Sequence, residues 1–152
     1  MSRSRLIAVL LSVVFAGTAA ASGGGPPPGT KSDELKQAEK LIKAEKWDDA
    51  VKVLTQAAEK EPKNPDVFNW LGYAERHRGN MDAAFGHYEK ALQLDPKHRG
   101  AHEYVGEAYL MVDQPDKAKE HLAALEKLCK KKCEEYEDLE KAIDAYQKKH
   151  AS

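Results

Sequence analysis

The stretch LEKLCKKKCEEYEDLEKAI holds both cysteines of the chain, Cys129 and Cys133, with three lysines between them. Thiols four residues apart serve as a structural staple, as soft-metal ligands or as a redox couple, and spacing alone does not choose among these. Neighbouring lysines lower a thiol pKa and favour redox use, whereas the usual redox motif has two intervening residues. A metal site needs further converging ligands, and the chain supplies only His121, one or two turns before Cys129. A second pair, His98 and His102, has the spacing of ligands on one helix face, but Gly100 marks a helix start between them. No serine, histidine and acid set stands out, and neither a phosphate-cradling glycine loop nor a zinc-protease signature occurs. No catalytic residue, metal site or cofactor is therefore expected.

The compartment that decides the fate of the thiols is read from the other end. Arg3 and Arg5 precede an apolar run from Leu6 to Phe15, and Ala19, Ala20 and Ala21 follow it. This is the pattern of a cleavable secretory signal over residues 1–21, too short in its apolar part for a retained membrane span of about 20 residues. No cysteine for lipid attachment follows, and Ser4 interrupts a twin-arginine pair. The mature chain is expected to begin near Ser22, in a periplasmic or secreted location, with no membrane association after cleavage.

Residues 22–31, rich in Gly and Pro, read as a flexible linker. From Ser32 the composition turns to Ala, Leu, Lys, Glu and Asp, that of a helical domain. The chain carries 24 basic and 25 acidic residues; without Arg3 and Arg5 the balance is 22 against 25, a net charge of −3. Such a balance excludes the basic footprint of nucleic-acid binding.

Sliding the chain against itself reveals a period of 34 residues. Pro62 falls on Pro96, Ala50 on Ala84 and then Ala118, Ala57 on Ala91, Gly72 on Gly106, Ala74 on Ala108, and Tyr88 on Leu122. Three units follow, at about 31–64, 65–98 and 99–132. These residues resemble the tetratricopeptide repeat family, most closely in PDVFNWLGYAERHRGNMDAAFGHYEKALQLDPKH. The resemblance implies an all-α, right-handed superhelical solenoid of three helix hairpins plus a C-terminal capping helix, a domain spanning 32–149. Gly72 and Gly106, with Ala38 in the first unit, sit where helix A approaches helix B of the same unit. Ala50, Ala84 and Ala118 clear the approach from the opposite side. Pro62 and Pro96 end each helix B.

Two departures carry expectations of their own. The first unit has polar Glu34 and Gln37 where the family prefers large apolar residues, which suggests a frayed or solvent-facing first helix. The third unit lacks the closing proline, and the chain runs on through Cys129. A cap over residues 133–149 is read from Tyr136, Leu139, Ile143 and Tyr146, which recur at helical spacing. Its charges read as a solvated face. The cysteines then straddle the junction of last repeat and cap. In an oxidising compartment they are expected to pair, and the pairing geometry predicts a helix break within Lys130 to Lys132.

A stack of this kind leaves a curved face lined by the inner positions of each helix A. Carried over from the family, these are Leu35, Glu39, Ile42 and Lys43; Asp66, Asn69, Tyr73, Arg76 and His77; and Glu103, Glu107, Leu110 and Met111. Tyr73 reads as an amphipathic anchor and Arg76 as a carboxylate ligand. The lysine and asparagine set with which some members clamp a C-terminal carboxylate is absent, since Leu35 and Glu39 occupy the first-unit places. The expected function is a non-enzymatic protein-protein interaction module of the periplasm, with an exported or envelope protein or peptide as partner. The alternative is thiol or metal handling, in copper delivery or redox chemistry, through Cys129 and Cys133. Three units with a weak first helix leave room for self-association.

Overall fold

A computed structural model describes residues 31–151; the expected signal at 1–21, and all of the expected linker except Lys31, lie outside the described residues. Among those described, seven helices and no strand occur: α1 (Asp33–Lys43), α2 (Trp47–Lys60), α3 (Pro65–His77), α4 (Met81–Leu94), α5 (Arg99–Met111), α6 (Pro115–Cys129) and α7 (Glu134–His150). Helices α1 and α2, α3 and α4, and α5 and α6 pack as hairpins, each laid against the next, and α5 also touches α3 and α7. The result is an all-α solenoid. None of these helices is long and apolar enough to cross a membrane.

Local chemistry sets the helix ends. The Ser32 hydroxyl accepts from the Leu35 amide, the Asn64 side chain from the Asp66 amide, and the His98 ring from the Ala101 amide, each satisfying a donor that the first turn leaves open. Pro65 and Pro115 stand at the first helical positions, where no amide hydrogen is missed. Within each hairpin the turn passes through a left-handed residue, and these too are one period apart: Glu45 (φ 54°), Gly79 (φ 82°) and Asp113 (φ 61°).

The small-residue register is the packing register. Ala50, Ala84 and Ala118 are fully buried, as are Ala57, Ala74, Ala91 and Ala108. A Cβ added at Gly72 would lie 2.6 Å from the Tyr88 ring, so α3 and α4 approach as closely as the sequence pattern requires. The third hairpin departs from that pattern. A Cβ at Gly106 would meet not α6 but Leu139 of α7, at 2.6 Å. Leu122 replaces the fully buried Tyr88 of the preceding unit, is shorter and is only half-buried, and Leu139 fills the space beside Gly106.

The first helix is not frayed. It is regular from Asp33, with Leu35 and Ala38 buried against α2, and polar Glu34 bonds Lys60 across the hairpin. Gln37 faces solvent, as its polarity requires. The break between α6 and α7 lies at Lys130 and Lys131, both left-handed (φ 52° and 62°) without a glycine to ease them. Tyr136, Leu139 and Ile143 of α7 are buried against α6 and α5, together with Ala118, Leu125 and Cys133.

Candidate functional site

On α3 the spacing of Trp70, Tyr73 and His77 sets three rings along one face. Trp47, at the head of α2, stacks on His77 with centroids 4.3 Å apart, and His77 meets Tyr73 at 4.5 Å. Tyr73 meets Tyr104 of α5 at 4.8 Å and Trp70 at 5.6 Å. A continuous run of rings thus spans three helices. Arg76 lies beneath it, 7% exposed, with its guanidinium carbon 5.2 Å from the Tyr73 centroid and 5.8 Å from that of Tyr104. Its Nη1 donates to Glu107 Oε2 at 2.6 Å, tying α3 to α5, while its Nε has no partner.

Beside Trp70 and Tyr104 opens a pocket of about 370 Å³, walled by first helices of the hairpins and by α7. Its floor is Leu35, Asn69 and Gly100; its rim carries Asp66, Glu103, Glu134, Glu135 and Asp138 against Lys31 and His98. Asp66 is held by the His98 ring at 2.9 Å, and that bond, opposed by burial, keeps its carboxyl below the usual range. Glu103 is different. Desolvation, then the charges of Glu107, Asp138 and Glu135, push its carboxyl up to about 8, with Arg76 opposing. Asn69 is 4% exposed, and its Oδ1 has no hydrogen-bond partner.

The inner-face positions carried over from the repeat pattern separate into groups. Asn69, Tyr73, Arg76, His77, Glu103 and Glu107 form the ring run and its polar neighbours. Leu35 is 2% exposed and belongs to the α1–α3 core, contributing only the pocket floor. Ile42 packs against the same core, and Leu110 against the α6–α7 cluster. Glu39 is engaged by Lys31. Arg76 is already taken up by Glu107, so it is not a free carboxylate ligand.

Sequence reasoning missed Trp70, Tyr104, Trp47, Glu135 and Asp138. Trp70 and Tyr104 are one period apart, a signal that overlaying the repeats contains. The acids of α7, read as a solvated face, had no such signal, because α7 lies beyond the last repeat.

The remaining chemical candidates resolve into local pairs. His98 caps α5, whereas His102 meets His121 of α6, Nδ1 to Nδ1 at 2.9 Å, and also reaches the Pro96 carbonyl at 3.0 Å. Burial, then His102, lowers the His121 pKa to about 4, and the ring stacks on Tyr109. The sulfurs of Cys129 and Cys133 lie at bonding distance, with Cα atoms 5.8 Å apart. Among the described residues no three His, Cys, Asp or Glu side chains are gathered to hold a metal ion.

Two family models described as tetratricopeptide repeat match the chain, over residues 35–99 and 75–143. Among solved structures, the first TPR of Spaghetti (RPAP3) bound to the HSP90 peptide SRMEEVD is 20% identical, with a TM-score of 0.65 over 74% of this chain and 89% of that one. The Yersinia enterocolitica type III secretion chaperone SycD, in complex with a peptide of the translocator YopD, is 23% identical, with a TM-score of 0.65 over 78% of this chain and 96% of that one. MamA is 25% identical over 66% of this chain and 57% of that one, with a TM-score of 0.58.

Proposed function

Because the chain belongs to the tetratricopeptide repeat family, we propose that it is a non-enzymatic interaction module that holds a peptide or protein partner against the face formed by α3, α5 and α7. The ring run from Trp47 to Trp70 carries this reading. Aromatic side chains with polar tips, half-buried at Trp47, Trp70, Tyr73 and Tyr104, supply contact area at low entropic cost, as binding hot spots do. The RPAP3 and SycD structures, each with a bound peptide, support the same use of the fold.

Export is part of the proposal. The leader-like residues 1–21 support it, as does a cysteine pair within disulfide distance, which suits an oxidising compartment. The partner is then an exported or envelope protein, and Cys129 and Cys133 are a staple between the last repeat and its cap. Mass spectrometry of the purified chain reads both points: a mature N-terminus near Ser22 and no free thiol before reduction are expected. An intact Met1 with two reactive thiols would overturn them.

The binding reading is tested by retention of an envelope protein on the immobilised chain and its loss in Tyr73→Ala, with helicity unchanged. Tyr73 is the better probe than Arg76, whose removal would strand the Glu107 carboxylate. Retention that survives Tyr73→Ala would move the binding face elsewhere.

A further inference from the structure

The polar groups of the pocket do not balance one another. Five carboxylates face one lysine and one histidine. Lys31 is engaged by Glu39, and His98 by Asp66. Arg99 reaches Glu135 at 3.5 Å and Lys141 reaches Asp138 at 3.1 Å, both on the rim. Glu103, half-buried between them, has no hydrogen bond or ion pair among the described residues.

A second observation, independent of charge, points to an occupant. Asn69 lines the same pocket, is almost wholly buried, and leaves its Oδ1 acceptor without a donor. A buried acceptor without a donor is destabilising, a deficit that a ligand N–H removes. Gly100 keeps this floor open, since a Cβ there would come within 3.3 Å of the Asn69 amide nitrogen.

We propose that the groove takes a basic partner: an extended peptide segment whose lysine or arginine side chain ends among Glu103, Glu135 and Asp138 while a donor of the same segment bonds Asn69 Oδ1. This rests on the groove being the binding face. The aliphatic stem of such a side chain lies along Trp70 and Tyr104, which wall the pocket, and its charge meets their π faces as well as the carboxylates. A volume of about 370 Å³ has room for one long side chain and its immediate backbone. An acidic segment or a free C-terminal carboxylate meets like charge here and is rejected. The RPAP3 structure, by contrast, holds a peptide with two glutamates and an aspartate.

Three capped decapeptides test this by fluorescence anisotropy with the full chain: one of alternating lysine, leucine and alanine, and two in which norleucine or glutamate replaces lysine. The lysine peptide is expected to bind about tenfold tighter than the norleucine peptide, the worth of one charge-assisted contact, and the glutamate peptide weakest. Glu103→Gln, which matches the protonated carboxyl in size and neutrality and so leaves folding intact, is expected to abolish most of that advantage by weakening the lysine peptide. Tyr73→Ala is expected to weaken both. If the norleucine peptide binds as tightly as the lysine peptide, or Glu103→Gln leaves the preference intact, the basic partner is wrong. The groove stands in either case as long as Tyr73→Ala weakens binding. If none of the three binds, or Tyr73→Ala changes nothing, the groove reading falls and the basic partner with it.

Discussion

Glu103 holds at neutral pH a proton that the unfolded chain, with an ordinary carboxyl value of 4.5, has already released. Desolvation comes first among the causes, and the facing charges are Glu107 on its own helix, Asp138 and Glu135 on α7, and Arg76 on α3. The native state therefore binds more protons than the unfolded state between those two values. Stability contributed by the protonated group is full below pH 4.5 and is lost as pH rises through about 8. Glu103→Gln is expected to be the more stable form at pH 9 and close to the parent at pH 5, as read by urea unfolding at the two values. A parent that does not weaken relative to the variant on going alkaline would refute the pocket's electrostatics. A cation in the pocket drives the same proton off, so binding of a basic peptide tightens with pH across this window. The glycines offer a second contrast at this scale. Gly72→Ala sets a methyl against the rigid aromatic ring of a fully buried Tyr88, whereas Gly106→Ala meets the terminal methyls of Leu139, the far end of a more flexible side chain. Overpacking costs about 1–3 kcal/mol and the better helix former returns about 1. Gly72→Ala is expected to destabilise clearly and Gly106→Ala little, and equal shifts in the denaturation midpoint would contradict the assignment of the two contacts.

Between residues and molecule, the hairpin turn is the unit that repeats most strictly. Glu45, Gly79 and Asp113 occupy one left-handed position a period apart, yet only the second is glycine. A side chain there costs about 1–2 kcal/mol, and glycine returns part of this through the entropy of the unfolded chain. Asp113 has a reason to remain, since it accepts from Tyr146 of α7 and so ties the cap to the third turn. Glu45 makes no hydrogen bond with its side chain among the described residues. Glu45→Gly is expected to stabilise by up to about 1 kcal/mol, seen as a rise of a few degrees in Tm. A fall would mean that the Glu45 side chain makes a contact of its own. The junction of α6 and α7 has no such economy. Lys130 and Lys131 both take the left-handed region to bring Cys133 back beside Cys129, with Cα atoms 5.8 Å apart. The sequence pattern pointed to the break here through the thiols alone, since no glycine or proline stands between them.

At the scale of the whole stack, the hairpins were legible because the alanines and glycines recur where helices must touch. Ala50, Ala84 and Ala118 sit one period apart and are each sealed from solvent. The pocket was not legible, because it joins Glu103 of the last repeat to Glu135 and Asp138 of a helix outside the repeat, and no periodicity relates α7 to α5. The same geometry makes Leu139 the residue on which the C-terminal end depends. It is fully buried, lies against Gly106 and belongs to the cluster that closes α6. In a stack where each hairpin touches only its neighbours, the last one has support on one side and the cap on the other. Leu139→Ala removes about 2–5 kcal/mol of packing, a large share of a domain's 5–15. Hydrogen exchange in this variant is expected to quicken most in α5, α6 and α7, less in α3 and α4, and least in α1 and α2, whose core is built from Leu35, Leu54 and Val67. Because Glu103 reaches Glu135 and Asp138 only while α7 is docked, the preference for a lysine peptide should fade in step with that local loosening. Acceleration spread evenly over all seven helices would show instead that the stack opens as one unit, with the pocket and the far hairpin sharing a single stability.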